Sequence, residues 1–404
     1  MENDLNKQLA VIKRGAETVV TEEELKRKLA KSLETGKPLR VKLGIDPTGK
    51  DLTLGHAVPL RKLRQFQDLG HQAVLIIGDY TARVGDPTGR EKTRPDLSPE
   101  AIEANAQGYL AQAGKILDLP RVEVVRNGDW FAKLPFADVV KLASKMTVAR
   151  ILERDDFSRR YKGGIPIGLH EFLYPLMQGY DSVMVRADIE LGATEQTFNL
   201  LVGRELQRDA GQAPQVALAL PILVGTDGVE KMGKSLGNYI GISESPREIF
   251  GKVMSIPDSA IRTYFALCTE VSEADVAAIL AEGRNPRDAK DKLGQEIVAL
   301  YHGREAGAAA SEEFRRVFRE KALPEAIPEV KIPPAEIQDG KVWLPKLLVL
   351  AGIASGTSAA RRDIEGGGVR LDGEKVTDPK VEVVVKDGML LQVGKRKFAR
   401  IRVS

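Results

Sequence analysis

Cysteine is almost absent from this 404-residue chain, which has only Cys268. That excludes an internal disulfide and any metal cage built from several thiolates. Histidine is nearly as scarce, with His56, His71, His170 and His302 alone, so no protein-held metal is expected and a divalent ion would arrive on a phosphate ligand. Long apolar runs are missing too. The longest clean stretch, Val216–Val224, falls far short of the ~18 residues a membrane-spanning helix needs. Sixty Lys and Arg against 57 Asp and Glu leave a net charge of only +3, so a polyanionic partner must be held by a local patch. The first residues, Met1-Glu2-Asn3-Asp4, carry acids where a secretory leader would carry Lys or Arg, and the chain is expected to stay in the cytoplasm. What is present, 43% apolar and 29% charged residues, is an ordinary globular composition. At ~100–200 residues per domain the length suits two or three domains.

The spacing predicts an α/β beginning. Thr21-Glu22-Glu23-Glu24 reads as a capping box opening a helix that Gly36 closes. Leu39–Ile45 reads as a strand, a helix follows from near Ala57 to Gly70, and Ala73–Ile77 is apolar on both faces, as a strand covered on both sides must be. Val122–Val125, Ser182–Arg186 and Gln215–Val224 read as further strands, giving a doubly wound, Rossmann-like parallel sheet over residues 1–240. Residues 241–323 lack strand signals and read as an α-helical domain. Pro324, Pro328, Pro333 and Pro334 mark 324–339 as a stiff, extended linker. Residues 340–404 read as a small α+β domain with helices at 344–350 and 358–365, a hairpin at Asp372-Gly373 and another at Asp387-Gly388. Residues 341–404 hold 13 Lys and Arg against 7 Asp and Glu, a net of +6. That asymmetry, carried by Arg361, Arg362, Lys395, Arg396, Lys397, Arg400 and Arg402, points to a nucleic acid as the partner of this domain.

Gly228-Val229-Glu230-Lys231-Met232-Gly233-Lys234-Ser235 fits the phosphate-binding pattern G-x-x-x-x-G-K-S. A P-loop runs directly into a helix, whereas Gly237 and Gly241 follow here. A flexible loop with two cations, Lys231 and Lys234, is the better reading, able to fold over a triphosphate. Its counterpart is Thr53-Leu54-Gly55-His56, where a helix N-terminus adds partial positive charge and His56 a donor. An RNA-binding P-loop NTPase remains the alternative and requires ATP hydrolysis independent of any amino acid. A non-catalytic RNA-binding protein on a similar scaffold is a second.

The pair of segments resembles the two signatures of class I aminoacyl-tRNA synthetases. Leu43–Thr48, Val84–Arg90, Tyr174–Asp181 and Gly192–Gln196 make the whole chain similar to the tyrosyl-tRNA synthetases of bacterial type. The resemblance implies a homodimeric ligase that activates L-tyrosine with ATP, as its Mg²⁺ complex, and transfers tyrosine to the 3′ end of tRNA(Tyr). It implies that Asp181 accepts the phenolic hydroxyl, that Tyr174, Gln178 and Asp86 bind the α-amino group, and that Gln196 lines the same pocket. Tyr174, Gln178 and Asp181 also lie at i, i+4 and i+7, one face of a helix. An Asp built to accept a hydroxyl is left unmatched by phenylalanine, a rule for which this family is itself the standard illustration. Thr48, Thr53, His56, Lys231 and Lys234 are implied in phosphate chemistry, with Arg90 and Arg94 on a loop over the departing pyrophosphate. Asp46, Gly55, Gly192, Glu195, Leu223, Val224, Lys234 and Ser235 are implied at ATP. Three positions depart from the family pattern: Thr53 replaces its first histidine, Glu195 an Asp that reaches the adenylate ribose, and Lys42, which the resemblance places among the tyrosine-binding residues, a tyrosine that shares the phenolic hydroxyl.

Overall fold

Aliphatic runs apolar on both faces form the centre of a six-stranded sheet: β1 (Thr18–Val20), β2 (Arg40–Ile45), β3 (Gln72–Ile77), β4 (Val122–Arg126), β5 (Ile189–Ala193) and β6 (Val216–Leu220). This is a computed structural model, and it describes residues 2, 4–86, 97–319, 327–337, 339–394 and 397–403. The spatial order is β1-β6-β5-β2-β3-β4. Strands β2 to β6 are parallel, and β1 closes the β6 edge antiparallel. From β2 the chain steps outward through β3 and β4, then begins again on the other side with β5 and β6. The order therefore reverses between β2 and β5, and in such sheets ligands bind beyond the carboxyl ends of the strands at that crevice.

Three helices frame the crevice: α1 (Leu54–Asp68) after β2, α2 (Leu173–Val185) before β5 and α3 (Thr197–Asp209) after it. Helices α2 and α3 approach closely at Gly179, where an added Cβ would lie 3.0 Å from Leu206 Cδ1 and Val202 Cγ1. The helical segment, from Pro246–Val253 to Arg304–Arg319, is joined to the sheet by the Tyr264 hydroxyl, which donates to the Val224 carbonyl at 2.7 Å. Residues Met1–Ser311 form one compact unit and Glu312–Ser404 a second.

Four local expectations are corrected. Ser182–Arg186 is not a strand but the end of α2, which Arg186 closes in the left-handed conformation at φ 50°. The strand lies further on, at β5, where Glu190 breaks the apolar pattern and yet is buried. Thr21 caps its helix by accepting the Glu24 amide at 3.1 Å, but the Glu24 carboxylate pairs with Arg204 at 2.7 Å instead of completing a capping box. Helix α1 starts at Leu54, three residues before Ala57, which makes Thr53 its N-cap residue.

The second unit holds β7 (Glu329–Ile332), β8 (Lys341–Trp343), β9 (Val369–Leu371), β10 (Glu374–Val376), β11 (Glu382–Val384), β12 (Leu390–Val393) and β13 (Lys397–Val403). Its helices are Leu344–Leu350 and Thr357–Glu365, and its core includes Leu347, Leu348, Ile364, Leu391 and Ile401. The proline-rich stretch is not only a linker, since β7 pairs in parallel with β13. Asp372 and Gly373 turn the β9–β10 hairpin with φ of 47° and 90°. The fourth correction concerns Asp387-Gly388, which turns the chain without making a hairpin: β11 pairs with β8, whereas β12 pairs with β9 and β13. Turn residues say where a chain reverses, and burial of Val383 with Val342 decides which strand it meets.

Gly294 tests packing within the helical segment. Alanine gains ~1 kcal/mol of helix propensity over glycine. A Cβ there would stand 2.8 Å from the Phe250 ring. Overpacking costs ~1–3 kcal/mol, so Gly294→Ala is expected to lower stability in urea denaturation, and a stabilised variant would refute the contact.

Candidate active site

The crevice between β2 and β5 is built on a charge pair. Lys42 and Glu190 face each other in the strand register. Their side chains are 1% exposed and meet at 2.9 Å from Nζ to Oε1. Burying two ions is tolerable only when their remaining hydrogen-bonding capacity is met. Here it is. Lys42 Nζ also donates to the Gln178 carbonyl at 2.7 Å and to Ser182 Oγ at 2.8 Å. Glu190 accepts from Gln178 Nε2 and from Ser182 Oγ, each at 3.0 Å, and from Gln215 Nε2. Lys42 is thus spent behind the pocket wall.

Helix α2 brings Tyr174, Gln178 and Asp181 to one face, as their spacing required. Asp181 Oδ1 accepts from Trp130 Nε1 at 3.0 Å, and Oδ2 accepts from Asn127 Nδ2 at 3.3 Å. Burial pushes the Asp181 carboxyl up to about 7, against the opposing pull of Lys42 and of these two donors. The Tyr174 hydroxyl donates to Asp46 Oδ2 at 2.9 Å, and Thr81 Oγ1 donates to Asp46 Oδ1 at 2.7 Å. Asn127 Nδ2 also donates to Thr81 Oγ1 at 3.0 Å, so a continuous chain joins Asp46 to Asp181. Gln178 Oε1 accepts from Asn199 Nδ2 at 2.9 Å, and Asn199 Oδ1 from Arg154 at 3.1 Å. Arg154 stands 3.7 Å from Asp86, whose Oδ2 accepts from Gln196 Nε2 at 3.3 Å. Trp130, Asn127, Thr81, Asn199 and Arg154 escaped the reading of the sequence. Among them only Trp130, one of two tryptophans, carried any signal, because their partners come from other elements.

The two signature segments meet although nearly 180 residues separate them. Thr53 Oγ1 and His56 Nδ1 lie 2.8 Å apart across the first turn of α1. Met232 packs on Gly55, where an added Cβ would be 3.7 Å from Met232 Cβ. Lys234 Nζ would stand 3.3 Å from a Cβ on Gly49, next to Thr48. Burial lowers the Lys234 ammonium from its ordinary value, and Asp51 opposes the shift. Lys231 pairs with Glu195 at 3.4 Å. Bridges of Val224 to Lys231 and Thr53 to Gly241, and the bond from Met232 N to the Leu223 carbonyl, hold the loop at the sheet end. Lys234-Ser235-Leu236 form a single 3₁₀ turn that Gly237 ends at φ 69°, so no helix follows and the P-loop reading fails in its geometry. Gly192 is the penultimate residue of β5, beside Gln196.

Arg90, Arg94, Lys395 and Arg396 lie outside the described residues. Arg361 and Arg362 are exposed on their helix, and Lys397 begins β13 exposed. Arg402 is committed within its own unit, to Glu329 at 2.6 Å and Asp387 at 2.9 Å.

A buried carboxylate, a polar stripe beside it and a cationic loop against a helix N-terminus are the parts that joining a polar small molecule to a phosphate donor requires. The profile described as tRNA synthetases class I (W and Y) matches residues 34–319, and the S4 domain profile matches 342–388. The chain belongs to the class I tRNA synthetases of the W and Y type. It is 56% identical to the tyrosine–tRNA ligase of Moorella thermoacetica, over 99% of this chain and 97% of the relative. It is 54% identical to that of Symbiobacterium thermophilum, over 98% of both. The crystal structure of tyrosyl-tRNA synthetase with L-tyrosine from Archaeoglobus fulgidus superposes with a TM-score of 0.63 at 25% identity, over 76% of this chain and all of that one.

Asp181 makes a signed prediction about stability. Its folded value of about 7 lies above the ordinary value of 3.8, so the folded state holds a proton that the unfolded state has released. Stability must then fall as pH rises from about 4 to about 7, by up to ~4 kcal/mol for this group alone. Asp181→Asn removes that ionisation, and thermal unfolding should show the variant gaining on the parent between pH 5 and pH 8. Parallel pH profiles for the two proteins would rule out a buried, proton-holding carboxyl.

Proposed function

We infer that this chain is a tyrosine–tRNA ligase, which uses ATP to make tyrosyl-adenylate and then charges tRNA. The observation that carries it is the contact of the Lys231–Ser235 loop with the Thr53–His56 helix start, beside the pocket wall that bears Asp181. One tyrosine carboxylate oxygen attacks the α-phosphorus, the bond from phosphorus to the β-phosphate oxygen breaks, and pyrophosphate leaves. The adenylate carbonyl is then attacked by a hydroxyl at the tRNA 3′ end, and AMP departs. No side chain needs to be a nucleophile. The protein holds the reactants in line and neutralises charge that grows on the phosphates.

In this reading the Asp181 carboxylate accepts the phenolic hydroxyl, while Tyr174, Gln178 and Asp86 take the ammonium, with Gln196 orienting Asp86. Carbonyl and carboxylate oxygens that already accept one bond retain a second lone pair for this. Asp46, Gly55, Gly192, Glu195, Leu223, Val224 and Ser235 surround ATP, which enters as its Mg²⁺ complex. Thr48, Thr53, His56, Lys231 and Lys234, with Arg90 and Arg94, serve the phosphates. Glu195 is paired with Lys231, so the ATP contact assigned to Glu195 and the loop are coupled through that ion pair. Arg361, Arg362 and Lys397, with Lys395 and Arg396, hold RNA in the C-terminal unit. The cytoplasm is the expected compartment. No described helix is long and apolar enough to cross a membrane.

A homodimer is also part of this reading. Between β4 and β5 the segment 136–169 leaves Phe136 82% and Leu169 83% exposed, with Val140, Val148 and Tyr161 exposed as well. Phe136 and Val140 share a helix face at i, i+4, and apolar surface gathered in this way marks an interface. Sedimentation of the full chain should report a dimer and that of Phe136→Asp a monomer; a monomeric parent would remove this part of the reading.

Pyrophosphate exchange into ATP, run with each of the twenty amino acids, tests the activity: exchange should require tyrosine, and ATP hydrolysis without any amino acid would favour an NTPase. Lys234→Ala should cut the exchange rate ~10²–10³-fold with little change in tyrosine affinity, since a donor aimed at transition-state charge acts on turnover. Unchanged turnover would take the loop out of the mechanism. Deletion of 327–404, which removes β7 with its sheet, should leave exchange intact and abolish tRNA charging, whereas loss of both would assign that unit to activation.

A further inference from the structure

Lys42 stands where the family pattern has a residue that touches the substrate, yet it offers no surface to a ligand. Its residue is fully buried, and its ammonium is held by Glu190, the Gln178 carbonyl and Ser182 Oγ. Two of those three partners lie on α2, and they bracket Asp181: Gln178 is one turn before it and Ser182 is the next residue. The third partner, Glu190, accepts from the Gln178 side chain. One buried pair therefore grips the backbone around the group assigned to the phenol and the side chain assigned to the ammonium.

We propose that Lys42 and Glu190 are positioning residues for tyrosine selectivity, a strut across the β2–β5 crevice that fixes Asp181 and Gln178 at the two ends of the substrate and places a positive charge behind the Asp181 carboxylate. The inference rests on the tyrosine reading of the pocket and deepens it. A carboxylate walled in by Trp130, Asn127 and the buried face of α2 loses its charge unless a cation opposes the burial. The charged groups acting on Asp181 are Lys42 from β2 and Glu190 from β5, opposite in sign with Lys42 the stronger. Asp46 is separated from it by Thr81 and Asn127. Only the ionised carboxylate accepts the phenolic proton without offering one of its own, so the strut governs both where the acceptor is and whether it is an acceptor.

Removing Lys42 alone leaves Glu190 buried without its cation, which threatens the fold. The test therefore removes both charges together, in Lys42→Met/Glu190→Gln, and uses Ser182→Ala as a second variant that keeps both charges and cuts one tie. Folding is followed by circular dichroism, and selectivity by pyrophosphate exchange with tyrosine and with phenylalanine across pH 5.5–9. For the double variant the KM for tyrosine should rise ~10-fold with KM for ATP unchanged, and preference over phenylalanine should fall by a similar factor. Its acid limb for kcat/KM of tyrosine should move up by about half to one pH unit. Ser182→Ala should raise the KM for tyrosine ~3-fold or more and leave the acid limb where it is in the parent. A folded double variant with parental KM, selectivity and acid limb overturns the proposal; if the double variant does not fold, an unchanged KM in Ser182→Ala overturns it. Failure of the parent to exchange with tyrosine refutes the functional reading itself and is seen before any variant is made.

Discussion

The ion pair between Lys42 and Glu190 is the constraint on which the catalytic unit turns. It lies where the strand order reverses, so a parallel sheet that could otherwise slide by register is pinned by a contact that has only one satisfactory alignment. Two buried ions are costly, and the cost is contained because Gln178, Ser182 and Gln215 complete their hydrogen bonds. Each of those partners belongs to an element that must be correctly docked: α2 for the first two, the start of β6 for the third. The pair is therefore satisfied only when the whole crevice has assembled.

From that strut the polar network spreads outward in two directions. One arm passes from Gln178 through Asn199 and Arg154 towards Asp86 and Gln196. The other, beginning at Asp181, runs through Asn127 and Thr81 to Asp46 and the Tyr174 hydroxyl. Networks of this kind rigidify a site when every member is satisfied. One arm ends at Asp86 and Gln196, the other at Asp46 and the Tyr174 hydroxyl. A site preorganised in this manner does not need to rearrange its dipoles as charge develops.

The second unit follows a different physical logic. Its charge excess is not a free cationic tail, because Arg402 is tied to Glu329 and Asp387 and thereby staples β13 to β7 and to the turn at Asp387-Gly388. Arg361, Arg362 and Lys397, by contrast, are exposed. Folding of the proline-rich stretch into the sheet edge also brings β7, with Lys331, into the unit ahead of residue 340.

The sequence by itself determined the elements whose information is local. Apolar runs marked β2, β3 and β6, the i, i+4, i+7 stripe put Tyr174, Gln178 and Asp181 on one helix face, and Asp372-Gly373 specified a hairpin that only a positive-φ pair makes. Two cationic-loop lysines and a helix start were recognisable because their chemistry depends on neighbours in the chain. Tertiary structure alone decided the rest. Glu190 interrupts the apolar run of β5, and only Lys42, 148 positions earlier and 2.9 Å away in the fold, accounts for its burial. Asn127 and Trp130 are the N-cap and third residue of a one-turn helix, Gly128–Phe131, until α2 presents Asp181 to them. Asp387-Gly388 announces a reversal but not its partner strand, which burial of Val383 against Val342 selects. Local pattern fixes what a segment can be, whereas a buried charge or an ambiguous turn acquires its meaning only from atoms that folding brings to it.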